Sequence, residues 1–277
     1  MASPPGVSQT PPRSPKFPAR LDRSEGDATR PRDLLRPQRP VAHAHRDAAQ
    51  RVAPTGMGLD SAGVRRRMVD RLRADGIGDE RVLDALAHVP RHRFVDAALV
   101  GQAYEDTSLP IGHGQTISKP SVVARMIELL YGGANARRSG RLGRVLEIGS
   151  GCGYQAAVLA RLSTQVISVE RLKALHEKAR ACLGALHVHD VRLVYGDGML
   201  GHAPNAPYDS IIAAAGGAEL PRAWLEQLAV GGRVVSPVQE PGGRRQVLVV
   251  VDRNETGFER VVHEAVRFVP LKSGRDR

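Results

Sequence analysis

Val145-Leu-Glu-Ile-Gly149-Ser-Gly151-Cys-Gly153-Tyr-Gln-Ala156 is the stretch from which the fold can be read. A short apolar run gives way to glycine at alternate positions and then to helix formers. Strand, glycine turn and helix together form the setting in which backbone can approach a bound nucleotide, because glycine leaves no Cβ in the way. A dinucleotide fingerprint needs G-x-G-x-x-G, and Tyr154 stands where its last glycine would be, so the spacing disfavours NAD and FAD. No G-x-x-x-x-G-K-S/T run occurs, which excludes a P-loop.

C-terminal to this stretch, short β-branched runs alternate with helical segments, the mark of an α/β fold. The pattern predicts a Rossmann-like, mostly parallel sheet of about seven strands with helices on both faces. Strands are expected at 145–148, 165–169, 191–194, 210–214, 233–237, 246–251 and 266–269, and helices at 154–162, 172–185 and 222–228. Short helices precede the sheet. One carries Val64, Met68 and Leu72 on a single face and stops at Gly76; the next is capped by Asp79, carries Val82, Leu83, Leu86 and Val89, and ends at Pro90. A further apolar-faced helix is expected at 118–131, closed by Gly132-Gly133. Leu109-Pro-Ile-Gly-His-Gly-Gln-Thr-Ile117 leads into it, a loop too long and too rich in glycine to be only a turn.

The chain of 277 residues holds 40 Lys and Arg against 29 Asp and Glu, a formal charge of +11, with 42% apolar and 25% charged residues. That is ordinary globular composition. The charge is uneven: residues 1–55 hold 10 of the 19 prolines and 10 basic against 5 acidic residues, without apolar periodicity. They are expected to form a disordered basic tail ahead of a domain at 56–277. A basic arm can meet nucleic acid or an acidic partner through phosphate neutralisation, but charges this diluted by Pro and Ala favour a solvated tail. No run of about 18 apolar residues suits a membrane span, and residues 1–16 lack the apolar stretch of a secretory signal. The two cysteines, Cys152 and Cys182, allow at most one disulfide, and no Cys or His spacing suits zinc. A cytoplasmic protein without a metal or a membrane partner is the expectation.

In open parallel sheets ligands bind beyond the carboxyl ends of the strands. Glu170 ends the second strand, 19 residues after Gly151, where a carboxylate can accept from both ribose hydroxyls, and Asp197-Gly198 follows the third. Taken alone, Asp197 also reads as a turn residue and Glu170 as a first-turn helix acid. Together with Gly149, Ser150 and Gly151 they resemble the S-adenosylmethionine site of class I methyltransferases.

Outside that site the chain resembles a narrower family. The stretches are Ala103-Tyr-Glu-Asp-Thr-Ser-Leu-Pro-Ile-Gly-His-Gly-Gln-Thr-Ile-Ser-Lys-Pro120, Val89-Pro-Arg-His-Arg-Phe-Val-Asp96 and Val266-Arg-Phe-Val-Pro-Leu271. They are similar to those of the protein-L-isoaspartate O-methyltransferases, over about residues 60–272. Ala215-Gly-Gly-Ala-Glu-Leu-Pro221 departs from that pattern, which has Pro soon after the Ala run. The resemblance implies methyl transfer from S-adenosylmethionine, leaving S-adenosylhomocysteine, to the free α-carboxyl of L-isoaspartyl residues in damaged proteins. The ester then cyclises to a succinimide that can reopen as aspartyl. It also implies Ser118 as the active-site serine, with Gln115, Thr116 and Ile117 between substrate and cofactor. Read from position alone, Ser118 is an N-cap for the helix that follows rather than a catalytic residue. A class I methyltransferase acting on RNA is the rival reading; Gln115-Thr-Ile-Ser118 argues against it, and the Asn/Asp-Pro-Pro-Tyr type of motif that serves amine methylation is absent.

Overall fold

Two helices come first among the described residues. A computed structural model describes residues 62–240, 242–243 and 245–276; the expectation of a basic tail over 1–55 lies outside them. Helix α1 (Ala62–Ala74) buries Met68, Val69 and Leu72 and stops at Gly76, whose φ of +99° only glycine adopts without strain. Asp79 caps α2 (Glu80–His88) as expected, accepting from Arg81 N at 3.0 Å and Val82 N at 3.4 Å. Val82, Leu83 and Leu86 on its inner face are fully buried.

The segment read as a loop is a β-hairpin. Strands β1 (Leu109–Gly112) and β2 (Gln115–Ile117) pair antiparallel across His113-Gly114. Both turn residues have positive φ, +54° and +67°, as a two-residue turn matching strand twist requires. Ser118 then lies between β2 and α3 (Pro120–Tyr131), which starts two residues later than expected. Pro120 holds Lys119 extended, so the helix cannot begin before it. The N-cap reading of Ser118 is therefore corrected. The Asp106 carboxylate performs that task instead, accepting from Ser121 N and Ser121 Oγ at 2.8 Å each.

After the short α4 (Ala134–Ser139), the sheet strands and their helices follow as β3 (Arg144–Ile148), α5 (Tyr154–Leu162), β4 (Gln165–Glu170), α6 (Lys173–Ala185), β5 (Val191–Tyr195), β6 (Tyr208–Ala213), α7 (Arg222–Gln227), β7 (Leu228–Gln239), β8 (Gln246–Arg253) and β9 (Phe258–Val266). The seven sheet strands lie in the order β5-β4-β3-β6-β7-β8-β9. All pairs from β5 to β7 are parallel, and β8 runs against both its neighbours. The order reverses between β3 and β6, which opens a crevice beyond their carboxyl ends. Val145, Leu146, Ile211 and Ile212 fill the sheet centre at zero exposure, and Trp224 is buried with its Nε1 donating to Gly198 O at 2.8 Å.

The strand expected at 266–269 is not one. The seventh strand ends at Val266, and nearly all its side chains are exposed, so it carries no apolar alternation to read. Residues after it cross the carboxyl edge of the sheet, held by Gly216 N to Val269 O and Leu271 N to Gly216 O, both 2.9 Å. Among the described residues no helix is long and apolar enough to cross a membrane.

Candidate functional site

Three segments meet at the β3–β6 crevice. The first is the turn after β3, where Gly149, Gly151 and Gly153 all have positive φ. A Cβ on Gly151 would stand 3.2 Å from Ile111 Cδ1, so this glycine also lets the hairpin close over the turn. The second is Glu170 at the end of β4. Its carboxylate is almost fully buried and accepts from Gly151 N and Leu172 N, both at 2.9 Å. It fixes the glycine turn to the neighbouring strand while each oxygen keeps a second lone pair. The third is Asp197-Gly198. Asp197 accepts from Met199 N at 2.9 Å and from Gly274 N at 2.6 Å. A Cβ on Gly198 would reach within 2.6 Å of Ile148 Cγ2, which forces β3 and this turn together only if the residue is glycine.

Gly149, Gly151, Glu170 and Gly198 line one cavity of about 170 Å³. Ser150 does not; its hydroxyl lies 2.5 Å from Ser168 Oγ within the protein, and Ser168 donates in turn to Glu147. Gln155 Nε2 donates to the other Glu147 oxygen at 3.1 Å. Burial pushes the Glu147 carboxyl up to about 8, so at neutral pH it carries a proton inside this network. Asp197 faces the C-terminal segment rather than the cavity.

On the other side of the hairpin is a groove of about 650 Å³ that reaches from Ser118 and Lys119 to the end of β9. Thr116 lines both spaces. Between them a pocket of about 40 Å³ is walled by Thr116, Ile117 and Ser118 on the hairpin side and by Gly149 and Gly151 on the other. Ser118, expected as the active-site serine, reaches the groove, as does Thr116 of the three residues expected between substrate and cofactor. Gln115 faces the cavity instead, and Ile117 faces only the pocket. No hydrogen bond among the described residues engages the Ser118 hydroxyl, which leaves it a donor for whatever enters. Cys152 also lines the pocket, but burial raises its thiol to about 11, so it is not a nucleophile.

Arg91 was not legible as a functional residue. It is fully buried without a carboxylate partner, and it donates through Nη2 to Ser118 O at 2.7 Å and through Nε to Ala103 O at 2.8 Å. Its guanidinium lies over the Tyr154 ring, 4.7 Å from the centroid. Burial pulls its pKa down, and Tyr154 opposes that shift. One side chain thus ties the backbone at Ser118 to the helix that leaves the glycine turn. The C-terminal segment was missed as well. Arg171 Nε donates to Gly274 O at 3.0 Å and Tyr195 Oη to Asp276 O at 2.5 Å, which draws residues 274–276 across the ends of β4 and β5. Among the described residues no group of three or more His, Cys, Asp or Glu could hold a metal ion.

The model of the family described as protein-L-isoaspartate(D-aspartate) O-methyltransferase matches residues 64–276. A protein-L-isoaspartate O-methyltransferase of Methylibium petroleiphilum is 58% identical over 265 residues, covering 95% of this chain and 97% of the relative. One of Leptothrix cholodnii is 57% identical and covers 95% and 96%. Part of the sequence ahead of residue 64 therefore has a counterpart in these relatives. A solved protein-L-isoaspartate O-methyltransferase structure superposes with a TM-score of 0.67 at 30% identity, over 76% of this chain and 66% of the other. A Plasmodium falciparum structure solved with S-adenosyl-L-homocysteine shares the fold, at a TM-score of 0.64 and 23% identity over 75% of this chain and 98% of its own.

Proposed function

The chain belongs to the protein-L-isoaspartate(D-aspartate) O-methyltransferase family, and from that premise we propose how its cavity, pocket and groove divide the reaction. The enzyme transfers a methyl group from S-adenosylmethionine to the free α-carboxyl of L-isoaspartyl residues in damaged proteins and peptides, which starts their return to aspartyl through a succinimide.

The cavity fits the cofactor by its chemistry. It offers glycine backbone at Gly149, Gly151 and Gly198 and a buried carboxylate at Glu170 with lone pairs left for hydroxyl donors. Ser150 and Asp197 do not line it, and their part would be to hold the glycine turn and the C-terminal segment around the cofactor. When bound, S-adenosylmethionine supplies a methyl group carried on a sulfonium. The groove would take the peptide, with Gln115, Thr116 and Ile117 forming the wall between the two.

The acceptor needs no base, since a carboxyl with a reference pKa of about 3.5 is already an anion at neutral pH. What remains is alignment, and proximity with orientation can supply about 7 to 11 kcal/mol of a barrier. Ser118 is the positioning donor. The observation that carries this reading is its free hydroxyl in the narrow pocket joining groove to cavity, opposite Gly149 and Gly151. Arg91 holds the Ser118 carbonyl and so fixes where that hydroxyl points. We place the enzyme in the cytoplasm, a reading supported by two unpaired cysteines, and read residues 1–55 as an appended tail to the 56–277 domain.

The test offers labelled S-adenosylmethionine with an L-isoaspartyl peptide, its aspartyl twin and bulk RNA. Base-labile label is expected on the isoaspartyl peptide alone. Ser118→Ala is expected to lower kcat by about 100-fold or more, the scale of removing one preorganised donor. Label on RNA, or full activity in Ser118→Ala, would overturn the assignment of substrate or of residue respectively.

A further inference from the structure

The wall of the peptide groove is charged with one sign. Lys119, Arg245 and Arg267 all line it and are all exposed, while no Asp or Glu among the described residues does. Lys119 stands beside Ser118 at the narrow end, Arg245 enters β8, and Arg267 leaves β9. None of the three forms an ion pair among the described residues. Two acids that adjoin lining residues are engaged elsewhere: Asp106 accepts both bonds from Ser121, and Glu264, next to Ala265 in the chain, accepts from Arg125 Nε at 2.8 Å. Glu240 is joined to Arg245 only through backbone, Glu240 N donating to Arg245 O at 2.9 Å.

We infer that these three cations form subsites for acidic side chains flanking the isoaspartyl residue, so that the enzyme selects damaged sites in acidic surroundings. The inference rests on the groove being the peptide site. The reacting carboxylate is itself an anion, but it is common to every substrate; selection arises from what lies on either side of it. The cations are exposed, so each contact is screened and modest, and the preference should grow with the number of acidic neighbours.

The test uses three isoaspartyl peptides of equal length that carry Glu, Gln or Lys at the flanking positions. At low ionic strength kcat/KM is expected to follow Glu, then Gln, then Lys, mainly through KM, with about two- to fivefold per exposed charge pair. The spread should collapse toward one near 1 M salt, where the Debye length is about 3 Å. Arg245→Gln combined with Arg267→Gln should shrink the Glu-to-Lys ratio at low salt. Arg260→Gln, on β9 but outside the groove, should leave that ratio in place. Equal kcat/KM for the Glu and Lys peptides, or a ratio untouched by the double substitution, would overturn the inference while methylation itself persists. Failure to methylate any of the three would overturn the reading of the groove beneath it.

Discussion

On the cavity side of the hairpin each turn is fixed by a bond to a neighbouring strand end: Glu170 holds Gly151, and the backbone of Gly149 donates to Val169 O at 2.8 Å. On the groove side the walls come from segments far apart in sequence, namely the β2–α3 link, the start of β8 and the exit from β9. The cavity is built by local strand–turn–helix units and the groove by long-range closure. A nucleoside-sized ligand that never varies suits the first construction, and peptides of many sequences suit the second. The contrast also predicts where single substitutions act: on binding and stability together in the cavity, and on turnover or selectivity along the groove.

Glu170→Ala should break this contrast most sharply. It leaves two partly buried backbone N–H groups without an acceptor and frees the glycine turn from β4. Hydrogen bonds to a charged group are worth about 1.5 to 3 kcal/mol each, so a marked fall in the denaturation midpoint is expected. Cofactor affinity, read by calorimetry, should fall with it. A variant that keeps both would show that Glu170 neither fixes the turn nor meets the cofactor.

Arg91→Met comes next, because it crosses from one side to the other. The substitution keeps much of the volume but abandons the carbonyls of Ala103 and Ser118. A loss of about 3 kcal/mol is expected from the missing charged bonds. The readout specific to positioning is a kcat that falls more than KM changes, with partial rescue in Arg91→Lys, which restores a donor. Equal scaling of both constants with the fraction folded would mean that Arg91 only supports the core.

The same division explains what could be read in advance. The glycine turn, the Asp79 cap, α5 and six of the strands were legible because each is written in consecutive residues with a period or a cap. Ser118 was ambiguous, since position alone made it a cap; only the Asp106 carboxylate, placed by folding, resolves which residue does that work. Arg91 was invisible because a buried arginine with carbonyl partners looks in sequence like any surface arginine. β9 was misplaced because an exposed edge strand needs no apolar face. The first two failures came from long-range contacts, and the third from the lack of a pattern to read.

Glu147 lies on the cavity side and should show an effect that depends on pH. Unfolded, it ionises near 4.5; folded, it keeps its proton to about 8. Between those values the folded state binds more protons, so this group's contribution to stability falls as pH rises and levels off above about 8. Glu147→Gln keeps the shape and removes the titration. Urea midpoints of the two proteins should diverge from pH 5.5 to 8, in favour of the variant, by at most about 1.4 kcal/mol per pH unit. Parallel curves would mean that Glu147 is ionised in the fold.

The smallest effect is expected from deleting residues 1–55. The family model begins at residue 64, and among the described residues the cavity, pocket and groove are lined from Ser108 onward. Nothing in the proposed mechanism draws on the deleted segment, so kcat and KM for a short neutral isoaspartyl peptide should stay within about a factor of two, the scale of surface changes of about 0.5 kcal/mol. The segment nevertheless carries ten basic residues against five acidic ones. If it contributes to recognition, it would do so through long-range charge, and its deletion would then slow the enzyme only on acidic substrates and only at low salt. Measuring the Glu-flanked and neutral peptides with both forms separates the two sources. A preference that disappears with residues 1–55 would belong to the tail, and one that survives their deletion and yields to Arg245→Gln with Arg267→Gln belongs to the groove.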